Sequence, residues 1–467
     1  MPSAGFLIYS GVMPLVKTLL SIVVGFILAR KDFFPVSATR GTSHIVMNVS
    51  LPMLVFANIV PAFTPSNIAS IGPLFLVAFV YQAMGFFFGI IIREVCYVPR
   101  NFWQGIVVLT GMSNWGNLPN AIVLSVTQQP PFNPDTDSAL GVSYVAVFIV
   151  SYQLVFWVFG AAHSLSWDYL PGIPQGQDAE VHLRWSEKPV ASLLRRVART
   201  FQRRSSWFSR NRCEQTVGDD DPRGETGTVL DELNTPDFGG LEASPDVLST
   251  SRDSGLDLNR DTPSEVVGRS SSKKGGMSRL LRTLLSLLTP VTISLFVSLP
   301  IALVQPLKAL FVDSPAAESF HWKAPDGRPP LAFVIDTAQF IGDIAVPLSL
   351  IVLGASFARI SIPHPVSRLP IPAMALVTFA KTILLPIFGI LIVMAMVRGG
   401  LIDHSAKVEK FVAMLLSGTP SGPNQLIVAS LYAPEGNVDI PAAFLLVQYT
   451  FMFLSSSALT AVALLLS

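Results

Sequence analysis

The chain has 467 residues, 50% of them hydrophobic and 13% charged, with a formal net charge of +1 and a mean hydropathy of +0.52. Soluble chains carry about 25% charged residues, so this composition excludes an ordinary soluble enzyme, and the near-zero net charge gives no electrostatic basis for binding nucleic acid. The two cysteines, Cys96 and Cys213, have no partners at zinc-ligand spacing and make no disulfide framework. The histidines show no metal-site spacing, and no cofactor is expected.

Apolar runs of about 20 residues, long enough to cross a hydrocarbon core of ~30 Å, recur on both sides of a polar centre. They predict spanning helices over 5–29, 42–61, 69–92, 103–126 and 139–162, and again over 280–304, 332–357, 371–397, 409–432 and 440–466. The first run has no basic leader and no small-residue cleavage site, so it reads as a spanning helix rather than a removed signal. The chain therefore divides into a membrane half at 1–162, a loop at 163–279 and a second membrane half at 280–467.

Short-loop charges orient the first half. Arg30, Lys31 and Arg40 follow the first helix and Arg93 and Arg100 the third, while the second and fourth loops hold no Lys or Arg and the fourth carries Asp135 and Asp137. Both termini are then expected outside or in a lumen, and the central loop in the cytosol. The eighth loop runs against this pattern with Arg398, Lys407 and Lys410. The central loop is rich in Gly, Pro, Ser and Thr and reads as disordered. Within it, Val190, Leu194, Val197 and Phe201 alternate with Arg195, Arg196, Arg199, Arg203 and Arg204. That pattern suits a basic amphipathic helix on an anionic leaflet or an ordinary solvated basic stretch.

The fourth run is interrupted by Thr110-Gly-Met-Ser-Asn-Trp-Gly-Asn-Leu-Pro-Asn120 and the ninth by Leu416-Ser-Gly-Thr-Pro-Ser-Gly-Pro-Asn424-Gln. Pro119-Asn120 and Pro423-Asn424 recur at matched positions of two five-helix groups. Because five is odd, the second group enters the membrane from the opposite side, which makes an inverted repeat. Proline removes an N–H and clashes with the turn before it, and glycine lets the backbone open. Freed backbone groups are costly in hydrocarbon unless they line a cavity. Matched breaks of this kind point to a substrate site near the midplane, where half-helix N-termini suit a carboxylate. The candidate binding residues are Asn117, Pro119, Asn120, Pro423, Asn424 and Gln425; kinks whose amides merely tie neighbouring helices are the plainer alternative.

Lys17, Asp343 and Lys381 fall inside predicted helices, with Asp336 nearer an end. Such charges pair or face a cavity, so Asp343 and Lys381 are candidates for an ion pair or for a coupling role, with Asp343 alone as a proton carrier, and Lys17 for snorkelling to an interface.

Several stretches resemble the auxin efflux carrier family: Met13-Pro-Leu-Val-Lys-Thr-Leu-Leu-Ser, Gly25-Phe-Ile-Leu-Ala-Arg, Asn48-Val-Ser-Leu-Pro52-Met-Leu-Val-Phe56, Asn117-Leu-Pro119 and Val346-Pro-Leu-Ser-Leu-Ile-Val-Leu-Gly354. Its plant members comprise plasma-membrane PIN carriers and reticular PIN-like carriers; fungal relatives are similar to the latter, and this chain resembles a fungal PIN-like member. The resemblance implies a ten-helix carrier of the bile-acid-transporter-like class, divided between scaffold and transport elements, with its fourth and ninth helices crossing at the proline breaks. It carries a crossover role onto Asn117, Pro119, Pro423 and Asn424, and sets Pro52–Phe56 and Pro347–Gly354 beside the cavity.

The expected fold is thus an all-α polytopic membrane protein of ten helices in two inverted repeats, with crossed, broken helices 4 and 9. The expected activity is carriage of a small organic anion, an indole-type carboxylate included, across a lipid bilayer; the endoplasmic reticulum is favoured over the plasma membrane, and a homodimer is compatible. A cation/proton antiporter using Asp343 and Lys381 is the rival. An intramembrane aspartyl protease needs a second matching aspartate that the sequence lacks, and a receptor role leaves the paired breaks unexplained.

Overall fold

The structure is a computed structural model and describes residues 4–62, 68–128, 130–181, 183–192, 195–196, 289–313, 323–360, 369–434 and 438–467. One compact unit joins Met1–Leu193 to Arg279–Ser467. A second, Leu194–Ser278, lies outside the described residues apart from Arg195 and Arg196, and with it most of the expected basic amphipathic helix and the acidic and serine-rich loop.

The first unit is helical, with no strand among its described residues. Its main helices are α1 (Ala4–Arg30), α2 (Val36–Ala62), α3 (Ile68–Val95), α4 (Trp103–Gly111), α5 (Asn117–Thr127), α6 (Pro134–Gln153), α7 (Pro290–Leu303), α8 (Ala332–Arg359), α9 (Ile371–Arg398), α10 (Lys407–Ser417), α11 (Asn424–Tyr432) and α12 (Asp439–Leu466). Six stretches, in α2, α3, α6, α8, α9 and α12, are long and apolar enough to cross a membrane, the α6 stretch running on to Val158. Large apolar side chains such as Phe340 and Leu454 stand almost bare on their outer faces, at 78% and 77% exposure. This is the surface that hydrocarbon covers and water does not tolerate.

Local sequence explains the irregularities. α2 and α9 each widen into a π-helical turn, at Val46–Ser50 and Ala380–Leu384, just ahead of Pro52 and Pro386. A proline ring collides with the carbonyl four residues back, and the wider turn relieves the collision. In α8 the same conflict at Pro347 opens the helix at Asp343 and Ile344.

Close backbone approach is set by glycine. α1 and α8 cross where Gly25 lies on the backbone of Ile351 and Gly354 on that of Ile22, the small-residue contact that lets membrane helices pack tightly.

The first thirty or so residues of the stretch read from sequence as loop belong to the compact unit. Short helical turns at Leu165–Tyr169, Gly176–Glu180 and Trp185–Glu187 form a strap across the ends of α3 and α4. Lys188 is buried and donates to the carbonyls of Arg93, Glu94 and Cys96 at 2.8, 2.9 and 2.6 Å, closing the C-terminus of α3. Composition hides this, because the polar residues that suggest a solvated loop are the caps of two helices.

Candidate functional site

The two interrupted runs meet. Residues 112–116 separate α4 from α5, and residues 418–423 separate α10 from α11. Ser113 and Ser421 form an antiparallel bridge, and Asn114 N donates to Pro420 O at 2.7 Å. Each break also closes the half-helix of the other. Trp115 Nε1 donates to Leu416 O at the end of α10 (2.8 Å), and Ser421 Oγ donates to Leu109 O near the end of α4. Gln448 Oε1 in α12 accepts from the N–H of Ser421 and lies beside its hydroxyl (2.9 Å each). Backbone groups released by the breaks are thus satisfied inside the protein, as an apolar environment demands.

Charges hold the half-helices from outside the crossing. Both carboxylate oxygens of Asp168 accept from Gln104 N at 3.0 Å, and Oδ2 also accepts from Gly105 N at 2.7 Å, at the start of α4. Burial pushes the Asp168 pKa up to about 6, against the pull of those two N–H groups and of Arg100 and Arg93. At the other end of α4, Lys381 in the π turn of α9 donates to Thr110 O (3.1 Å), Met112 O (3.2 Å) and Ser113 Oγ (2.8 Å). An anion at the N-terminus and a cation at the C-terminus both complement the dipole of α4. Arg40 serves α11 in the same way, donating to Ala433 O at 3.0 Å.

Beside the crossing lies a cavity of about 430 Å³, walled by α1, α2, α6, α8 and both breaks. Leu51, Leu54, Val55, Ile149, Val346 and Leu350 make it largely apolar; Asn58, Ser113, Asn114, Tyr152, Gln153 and Asn424 add polar groups, and Lys17 and Asp343 add charge. Gly116 and Pro423, the residues that precede α5 and α11, are both in the cavity wall, and neither helix N-terminus has a side-chain cap. The buried Gln153 Oε1 has no hydrogen bond among the described residues, and the buried Tyr152 hydroxyl faces the Asn424 side chain.

The residues singled out from sequence separate here. Pro423 and Asn424 line the cavity. Gln425 lies behind it, buried, donating to Met112 O at 3.1 Å. Asn117 opens α5, but its side chain is outside the described residues. Pro119 is buried in the first turn of α5, and Asn120, with its Oδ1 buried and unpartnered, is not in the cavity wall. Asp343 and Lys381 do not pair. Asp343 accepts from Gln339 Nε2, Lys381 is spent on α4, and the ion pairs among the described residues are Arg93–Glu94 and Arg328–Asp336. Two intramembrane charges of opposite sign look like partners in a sequence; here three acceptors at a helix end replace the carboxylate. Of the residues flanking the cavity by resemblance, Leu54, Val55, Pro347, Ser349 and Leu350 are in its wall.

Sequence reading missed Tyr152 and Gln153. Their signal was a polar run, Ser151-Tyr152-Gln153, inside an otherwise apolar helix.

The pattern of the family described as membrane transport protein, Mem_trans, matches residues 10–460. Protein ECM3 of Saccharomyces cerevisiae is 22% identical, over 97% of this chain and 97% of its own. Protein PIN-LIKES 2 of Arabidopsis thaliana is 27% identical, over 96% of this chain and 92% of its own. A yeast protein named uncharacterized transporter YLR152C is 22% identical over 97% of both chains. The chain is a membrane transporter rather than an enzyme, and it belongs to the membrane transport protein family that includes the auxin efflux carriers.

Proposed function

We propose that the protein is a carrier of small organic anions, amphipathic carboxylates of the indole-acid kind. In this reading ten spanning helices form two inverted five-helix repeats; α4–α5 and α10–α11 are the fourth and ninth, crossing at their breaks. The observation that carries it is the pair of uncapped helix N-termini, those of α5 and α11, opening on one mostly apolar cavity. Helix N-termini present free N–H groups and positive partial charge, and two such ends favour one negative group between them. The volume lies in the range of small-molecule sites, and its leucine, valine and isoleucine walls suit a flat apolar body. Alternating access then comes from movement of one group of helices against the other around the crossing. The loop charges of the first half put both termini outside or in the lumen, and the resemblance to reticular PIN-like carriers favours the endoplasmic reticulum membrane.

Asn424 tests this reading because it stands at the start of α11, in the cavity wall, and holds no helix cap. Asn424→Ala removes an amide donor whose bond to a carboxylate contributes on the order of 1.5–3 kcal/mol. Equilibrium binding of indole-3-acetate to the purified protein is expected to weaken about tenfold or more, with an unchanged melting temperature. Unchanged affinity in the folded variant would contradict the assignment; a large loss of stability would make Asn424 a structural tie.

A further inference from the structure

A second charged feature of the cavity is independent of the breaks. Lys17 stands at the centre of α1, thirteen residues from either end, about 20 Å of helix on each side. In the ten-helix reading α1 crosses the bilayer, and a lysine side chain does not cover that distance to either surface by snorkelling. A charge at such depth is costly unless it meets a partner or a polar cavity.

The buried lysines have partners, whereas Lys17 is exposed. Lys188 and Lys381 each donate three hydrogen bonds, Lys308 donates to Pro61 O at 3.0 Å and Lys410 to His404 O at 3.0 Å. Lys17 donates none and forms no ion pair among the described residues, yet it is part of the cavity wall. α1 and α8 run parallel: Gly25 meets Ile351, and Arg359 at the end of α8 donates to Phe34 O and Thr39 Oγ1, just past the end of α1. Lys17 and Asp343 lie eight residues before Gly25 and Ile351 respectively, so they sit at similar depth on neighbouring helices, about 12 Å along each from the α1–α8 contact. Asp343 accepts from Gln339 and forms no ion pair with Lys17, although both are in the cavity wall.

We infer that Lys17 is the fixed positive charge that selects anions over cations in this cavity and pairs with the carboxylate of the substrate. It is a specificity-determining residue, distinct from the amides and helix ends of the crossing. The assignment deepens the anion-carrier reading and rests on it for the identity of the partner. The charge itself can be read with no substrate present.

The experiment uses the full chain with Cys96 and Cys213 replaced by serine and a reporter thiol introduced as Asn58→Cys in the cavity wall. Reaction rates with an anionic sulfonatoethyl and a cationic trimethylammonioethyl methanethiosulfonate are compared. Lys17→Gln is expected to lower the anion-to-cation rate ratio about tenfold. Lys17→Arg should keep the ratio and Asp343→Asn should raise it. An unchanged ratio in Lys17→Gln overturns the assignment. So does a fall in Asp343→Asn, which would make the two charges one structural pair, and so does loss of folded protein in Lys17→Gln that Lys17→Arg does not share. In the same variants indole-3-acetate binding should weaken about tenfold with glutamine and persist with arginine. A shifted ratio in a protein that carries no carboxylate would sink the anion carrier while leaving the lysine's charge in the cavity. Carboxylate transport with an unshifted ratio would do the reverse.

Discussion

Gly354→Ala is expected to yield almost no monodisperse carrier, although alanine is the better helix former by up to about 1 kcal/mol. A methyl group at this position would overlap the carbonyl oxygen of Ile22 and press on Ile22 C at 2.8 Å and Phe26 N at 3.0 Å. These are backbone atoms of α1, so no rotamer change makes room and the two helices must separate. Gly25 has the mirror-image problem against Ile351, whose C and Cα would stand 2.7 and 2.8 Å from an added Cβ. Overpacking costs typically about 1–3 kcal/mol where side chains can yield, and an obstacle of backbone puts this site at the upper end or beyond. The contact also fixes α1 beside α8, hence Lys17 and Asp343 around the cavity. Size-exclusion profiles and melting in detergent measure the effect. Gly41→Ala is the control, since nothing lies within 4 Å of a Cβ there, and its melting temperature should hold or rise slightly. A Gly354→Ala protein that melts like the parent would show that α1 and α8 do not cross at this point.

Lys381→Met should leave a chain that inserts but has lost both stability and transport. Methionine matches the length of the lysine stem and strands Thr110 O and Ser113 Oγ at the end of α4, while Met112 O keeps only its bond from Gln425. Each buried acceptor left without a partner costs about 1–3 kcal/mol, and the loss of a cation at a helix C-terminus adds up to about 2 kcal/mol more. Water entering from the cavity, which Ser113 lines, offsets part of this, so a net loss of about 3 kcal/mol is expected. The measurement is paired: melting in detergent, and uptake into vesicles by whatever protein survives. A coupling role for Lys381 predicts a different result, with melting retained and only the pH dependence of uptake changed.

The sequence carried the helices and the breaks well because both are written in strong local chemistry. Runs such as Ile371–Arg398 are unambiguous by length and hydropathy, and Pro119, Pro423 and their glycines and asparagines are hard to place in an apolar helix for any other reason. It carried partner choice poorly. Opposite sign makes Asp343 and Lys381 candidates for an ion pair, whereas the partners of Lys381 are carbonyls freed by a break on another helix. Symmetry of motif suggested Asn120 and Asn424 as equivalent, yet Asn424 is in the cavity wall and Asn120 is not, while Asn114, inside the break itself, is. The strap was misjudged for a similar reason. Asp168 and Lys188 look solvated in one dimension, and only the fold brings the ends of α3 and α4 to them.

The claim that the crossing cavity carries organic anions is tested most directly by uptake into vesicles holding the purified full chain. Labelled indole-3-acetate should enter saturably, should be displaced by other amphipathic carboxylates and not by potassium or organic cations, and should lose most of its rate in Asn424→Ala. Vesicles that exchange cations for protons, and take up no carboxylate above protein-free controls, would contradict the account.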